Sequence, residues 1–112
     1  MLLTKKILHF VQNDSLVSFS NGNWNNNSIR FRNNSYMQVS VPEGYSLLSI
    51  NFSYSSGTNR DLSVTSGTFS RNGSNVTWTA TTPTTSVNMT NTNGTNYVYI
   101  RTINVEYIKL ED

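Results

Sequence analysis

The sequence predicts an all-β fold, with mainly antiparallel strands arranged as a sandwich or barrel, and three observations carry that prediction. From Leu16 onward, apolar and polar residues alternate with period two in segment after segment. Turn-forming residues separate these segments at the short spacing of small β domains. The composition agrees: 6 Tyr, 5 Phe and 2 Trp stand among abundant Asn, Ser and Thr, while charged residues make up only 12%. Aromatic and β-branched residues suit a pleated, half-buried surface, whereas a disordered chain has few of them. At 112 residues the chain is one domain, large enough for a core. No window carries a convincing 3.6-residue apolar period, so no significant helix is expected.

Taken in order, residues 1–14 come first and differ from the rest, which is expected to form a single domain over 15–112. They hold the lysine pair Lys5 and Lys6 and the only histidine, His9. "KILHFVQND" resembles a stretch seen when repeat elements in bacterial genomes are translated at the edge of a reading frame, outside the ancestral domain. "KILHFV" reads equally well as a first edge strand. "LVSFS" follows as a short strand, and the Asn-rich run "FSNGNWNNNSIRF" (Phe19 to Phe31) reads as a polar turn that carries Trp24. "SIRFR" sets Ile29 and Phe31 against Arg30 and Arg32. "YMQVSV" points Met37, Val39 and Val41 one way, and Tyr36 and Gln38 the other. "LLSINFSY" places Leu48, Ile50, Phe52 and Tyr54 on one face.

"DLSVT" then contributes Leu62 and Val64. "NVTWTA" turns Val76, Trp78 and Ala80 inward and Thr77 and Thr79 outward, so Trp78 reads as core. "SVNMT" contributes Val87 and Met89. In "YVYIRTINVEYI" the inward set runs Val98, Ile100, then Ile103, Val105 and Tyr107. The one-residue slip between Ile100 and Ile103 is what a β-bulge makes. That totals about eight short strands. The turns fit: "RNGS" and "TNGT" each place Asn-Gly between alternating segments, a strong hairpin signal. "VPEGY" has Pro and Gly at turn spacing, and "SSGTNR" and "TSG" supply two further breaks.

From "LLSINFSY" through "LSVTSGTFSRNGSNVTWTA" to "SVNMTNTNG" and "YVYIRTINVEY", the second half resembles a family. It is similar to the small jelly-roll-like β-sandwich accessory domains of secreted and surface proteins of gut bacteria, especially Bacteroidetes. Those domains have a Gly-containing hairpin that leads to a Trp and a small hydroxylated residue, here Trp78 and Thr79. A strand matching Val87 and Met89 follows, and the closing strand reads like "YIRTINVEY". The match runs roughly from Ile29 to Tyr107, and its motifs are structural. It implies a jelly-roll-like sandwich appended to an enzyme or adhesin. This chain departs from that pattern in standing nearly alone.

Catalytic chemistry finds little support in the residues. The acids are Asp14, Glu43, Asp61, Glu106, Glu111 and Asp112, and a glycosidase-type carboxylate pair would need Glu43 and Asp61 to meet in space. A Ser-His-Asp triad would have to use His9. No enzyme is expected, and no catalytic residue is assigned. The chain has no cysteine and no metal-ligand spacing. No cofactor is expected, the only arrangement suited to calcium being Asn59 beside Asp61.

The net charge of +2 rests on Lys5 and Lys6, and the arginines are scattered. Nucleic acid is therefore not an expected partner. Membrane insertion is not expected either, since no apolar run has transmembrane length, and the first residues make a poor signal peptide. Sugar binding fits better. An aromatic ring offers its face to the C–H side of a pyranose, while amides and guanidinium groups bond its hydroxyls. Two stretches hold those ingredients: Trp24 with Asn23, Asn25 and Arg30, and Tyr97, Tyr99 and Arg101 on the final strand. Glycosylation motifs recur, including those at Asn51, Asn75, Asn88 and Asn93, as chance allows in so Asn- and Thr-rich a chain.

The expected function is a non-catalytic accessory module, carbohydrate-binding or adhesive, at a bacterial surface or outside the cell. Its partner would be a glycan or cell-surface polysaccharide. The alternative is a structural subunit of a phage virion (fibre or capsid decoration) or of an extracellular filament, whose partners are neighbouring copies of itself.

Overall fold

The computed structural model describes residues 3–8, 16–20, 22–25, 28–31, 34–54, 61–92 and 98–109; the side chains of residues 3–8, 19, 22–25, 28, 29, 101 and 102 lie outside that description. It contains strands β1 (Leu3–Leu8), β2 (Val17–Phe19), β3 (Gly22–Asn25), β4 (Ser28–Phe31), β5 (Tyr36–Ser40) and β6 (Tyr45–Tyr54). These are followed by β7 (Leu62–Val64), β8 (Thr68–Asn72), β9 (Asn75–Thr79), β10 (Ser86–Asn91) and β11 (Val98–Lys109). No helix occurs among the described residues, and every pairing is antiparallel.

Two sheets form a β-sandwich. One has seven strands, in the order β3-β4-β11-β6-β9-β8, with β1 also pairing to β11; the other has four, in the order β2-β5-β10-β7. The chain crosses between the sheets at every connection except the β3–β4 and β8–β9 hairpins. The order β4-β11-β6-β9 in one sheet and β5-β10-β7 in the other is jelly-roll winding. In an eight-stranded roll the next strand would extend the smaller sheet. Here β8 instead folds back on β9 and becomes an edge of the larger one. The β1 strand lies three residues earlier than "KILHFV" and runs beside the end of the chain, pairing Leu3 with Ile108 and Leu8 with Ile103.

Alternation puts one face of each strand into the space between the sheets. Phe31, Met37, Val39, Ile50, Trp78, Met89, Val98, Ile100 and Val105 are fully enclosed there. The indole of Trp78 is buried, and its Nε1–H donates to the Ser66 carbonyl at 2.7 Å, so the ring carries no unpaired donor into the core. Gly67 makes this fit possible: a Cβ on it would lie 2.5 Å from Trp78 Nε1, and its φ of +78° belongs to the left-handed region.

The pairing of β6 with β11 slips twice. Between Ile100 and Ile103 the extra residue is on β11, at the phase slip read from the sequence. Between Glu106 and Tyr107 the extra residue is Leu48, on β6, so the second bulge restores the register that the first displaced. This corrects the predicted face of β6: Ile50, Phe52 and Tyr54 are core, but Leu47 is buried at 1% exposure while Leu48 stands out at 36%. The bulged Leu48 carbonyl is satisfied by the Ala80 N–H at 3.0 Å.

The turns also differ in detail from the expectation. Asn72 pairs with Asn75, so Gly73 and Ser74 form the two-residue loop of the β8–β9 hairpin, rather than Asn72 and Gly73. With Gly73 at φ +63° and Ser74 outside the positive region, the loop has the type II′ pattern, with glycine first. The Pro42–Tyr45 turn is as read, with Gly44 at φ +91° and the Tyr45 N–H donating to the Pro42 carbonyl at 3.1 Å. "TNGT" and "SSGTNR" fall almost wholly outside the described residues.

Candidate functional site

Strand β3 is the least expected element, because it is built from "GNWN" inside the run that reads as a turn. Asn and Gly are poor strand formers, and a lone apolar residue gives no alternation to detect. Pairing with β4 holds the segment in the sheet: Gly22 faces Phe31, Asn23 faces Arg30, Trp24 faces Ile29 and Asn25 faces Ser28. On the other side of β4, Arg30 faces Tyr99 and Ile29 faces Ile100.

The register therefore joins the two separate sequence patches. Asn23, Arg30 and Tyr99 form one row across β3, β4 and β11. Arg30 and Tyr99 are half-buried and alternate with the enclosed Phe31, Val98 and Ile100, so both belong to the outer face of the large sheet. Trp24 belongs to the neighbouring row, with Ile29, Ile100 and Tyr54, of which Ile100 and Tyr54 are buried. The side chains of Asn23, Trp24, Asn25 and Arg101 lie outside the described ones, and Tyr97 lies outside the described residues altogether.

Further along the same outer face is a shallow depression of ≈ 340 Å³, lined by Asn51, Ser53, Asn75, Thr77 and Asn104 together with Phe52 and Val76. Register explains the gathering. Asn104 faces Asn51, Asn51 faces Thr77, and Ser53 faces Asn75, so three adjacent strands contribute their outward residues. The Thr77 hydroxyl donates to Asn51 Oδ1 at 2.9 Å, fixing that amide's orientation. The lining carries amides and hydroxyls and no charge. These residues were legible only as the outward halves of alternating strands, which marks exposure but not a site. Two of the glycosylation motifs, at Asn51 and Asn75, fall on this depression.

Glu43 and Asp61 are placed far apart. Glu43 lies in the turn from β5 to β6, beside the end where Ser40 pairs with Ser86. Asp61 precedes Leu62, which pairs with Asn91 at the other end of β10. At about 3.3 Å per residue, that six-residue strand separates them by close to 20 Å. Glycosidase pairs stand about 5 to 9.5 Å apart, so the Glu43–Asp61 pairing does not form. Asp61 is instead bound by Arg71, whose Nε donates to Oδ1 at 2.9 Å. Its proposed calcium co-ligand, Asn59, lies outside the described residues. No group of three metal-ligating side chains occurs among the described residues.

Among the described residues, Asn91 is a polar residue with no exposed surface. At the end of β10, it donates from Nδ2 to the Phe31 carbonyl at 3.1 Å, and its backbone bonds Asn34 and Ser35. It pins the loop between β4 and β5, holding the end of β4, and so Arg30, in place.

Comparison of this chain with protein-family models, with curated proteins and with solved structures finds no match.

Proposed function

We propose that the chain is a non-catalytic β-sandwich module that binds carbohydrate, or adheres through it, at a bacterial surface. The observation that carries this reading is the register row of Asn23, Arg30 and Tyr99, on three neighbouring strands of the large sheet, with Arg30 and Tyr99 half-buried on its outer face. The backbone register sets a tyrosine, an arginine and an asparagine position in one row, residue types suited to a pyranose ring and its hydroxyls. The resemblance to accessory domains of gut bacteria points the same way.

The test is a glycan array, read with the wild type, Tyr99→Ala and Trp24→Ala. Retained glycans on the wild type, weakened roughly tenfold by Tyr99→Ala, support the proposal, that being the scale of one well-placed aromatic contact. Absence of any retained glycan overturns it.

A second reading, the self-assembling structural subunit, is favoured by β8. This five-residue edge strand leaves Thr68, Ser70, Arg71 and Asn72 exposed, and an open strand edge is a template for another copy. Light scattering separates the two, since a concentration-independent monomer excludes the assembly.

A further inference from the structure

We infer that the depression on β6, β9 and β11 is a second contact region for the same ligand, and that the ligand is a neutral, hydroxyl-rich chain rather than an acidic or phosphorylated one. This inference rests on the glycan-binding reading and specifies its chemistry.

The depression and the Asn23–Arg30–Tyr99 row share the outer face of one sheet. On β11 the bulge between Ile100 and Ile103 lies between Tyr99 and Asn104. On β6, Ser53 is next to Tyr54, the partner of Ile100. From Arg30 on β4 to Asn75 on β9 is three strand spacings, or about 14 Å. A single sugar does not span that width, but a short oligosaccharide crossing the strands does.

Chemistry narrows the ligand further. An amide presents a donor and an acceptor side by side, which matches the alternating donor and acceptor character of vicinal hydroxyls. Asn51, Asn75 and Asn104 supply three amides, and Ser53 and Thr77 supply two hydroxyls. A carboxylate, sulfate or phosphate calls for Arg or Lys at its binding point; Arg30 is available to bond hydroxyls in the first region, but the lining of the depression has no such cation, so an acidic unit seated there would leave its charge unpaired.

The experiment is titration calorimetry of the whole chain with the glycans that the array retains, comparing neutral oligosaccharides with uronate-containing or sulfated ones of equal length. Asn104→Ala and Thr77→Val are measured beside Tyr99→Ala, with Glu43→Gln at the opposite end as control and a thermal melt on each. The expected result is preference for the neutral chain, about fivefold weaker binding for Asn104→Ala and for Thr77→Val with unchanged melting, and no effect of Glu43→Gln. Glycan binding that Tyr99→Ala weakens but Asn104→Ala and Thr77→Val leave intact overturns the second region alone. Preference for the acidic chain overturns the ligand class. No binding by the wild type removes the glycan reading itself.

Discussion

The two faces of the large sheet are made by alternate residues of the same strands. On β9 the inward residues are Val76 and Trp78, both enclosed, while Asn75, Thr77 and Thr79 look outward and are exposed. On β6, Ile50 and Phe52 are enclosed while Asn51 and Ser53 are half-exposed. The inner face is held by shape, because every atom there touches another and volume is conserved. The outer face is held by almost nothing beyond β propensity and a few cross-strand pairs. Stability and recognition are therefore assigned to opposite sides of one backbone, and substitutions on the two sides have effects of different size.

The largest effect is expected on the inner face, at Trp78. Replacing it with alanine removes the largest enclosed side chain and orphans the Ser66 carbonyl. A loss of about 3 to 5 kcal/mol is expected in urea denaturation, a large share of a small domain's stability. A loss under about 1 kcal/mol would mean that the core does not depend on this ring, and the contrast between the faces would collapse.

Gly67→Ala probes the same ring from the loop that covers it. The added methyl would meet Trp78 Nε1 at 2.5 Å, Cε2 at 2.6 Å and the Thr79 carbonyl at 2.7 Å, in a left-handed backbone conformation. Overpacking and the conformational cost together predict about 2 to 4 kcal/mol. Glycine at this position is thus a packing requirement as well as a turn residue. Gly44 and Gly73, with open space around them, would cost only the conformational part.

The inner face was the part legible in the sequence. Period two identified Met37, Val39, Val76, Trp78, Val87 and Met89 because burial is a property of one residue and its parity. It failed at Leu47 and Leu48, where two adjacent leucines give no parity and a bulge decides which turns inward. It failed at β3 because "GNWN" has neither propensity nor pattern, and only the partner strand makes it a strand. The outer face was legible as polar and no further. That Asn23 would stand beside Arg30 and Tyr99, or Asn51 beside Asn75 and Asn104, is set by strand order, and alternation carries no information about strand order. The jelly-roll-like sandwich was expected, but the departure at β8 was not.

The sharpest form of the comparison uses two neighbours of nearly equal shape. Val76 is enclosed at 1% exposure, and Thr77, the next residue, is exposed on the other face. Val76→Thr keeps the volume but places a hydroxyl among apolar side chains, at an expected cost of about 1 to 3 kcal/mol. Thr77→Val makes the reverse exchange and gives up only an exposed bond to Asn51, so its stability should stay within about 0.5 kcal/mol of the wild type. Denaturant midpoints at constant m-value measure both. If the two exchanges cost the same, the faces are not distinct in energy. If they differ as expected, Thr77→Val becomes the clean instrument for the outer face, since any binding it loses cannot be blamed on the fold.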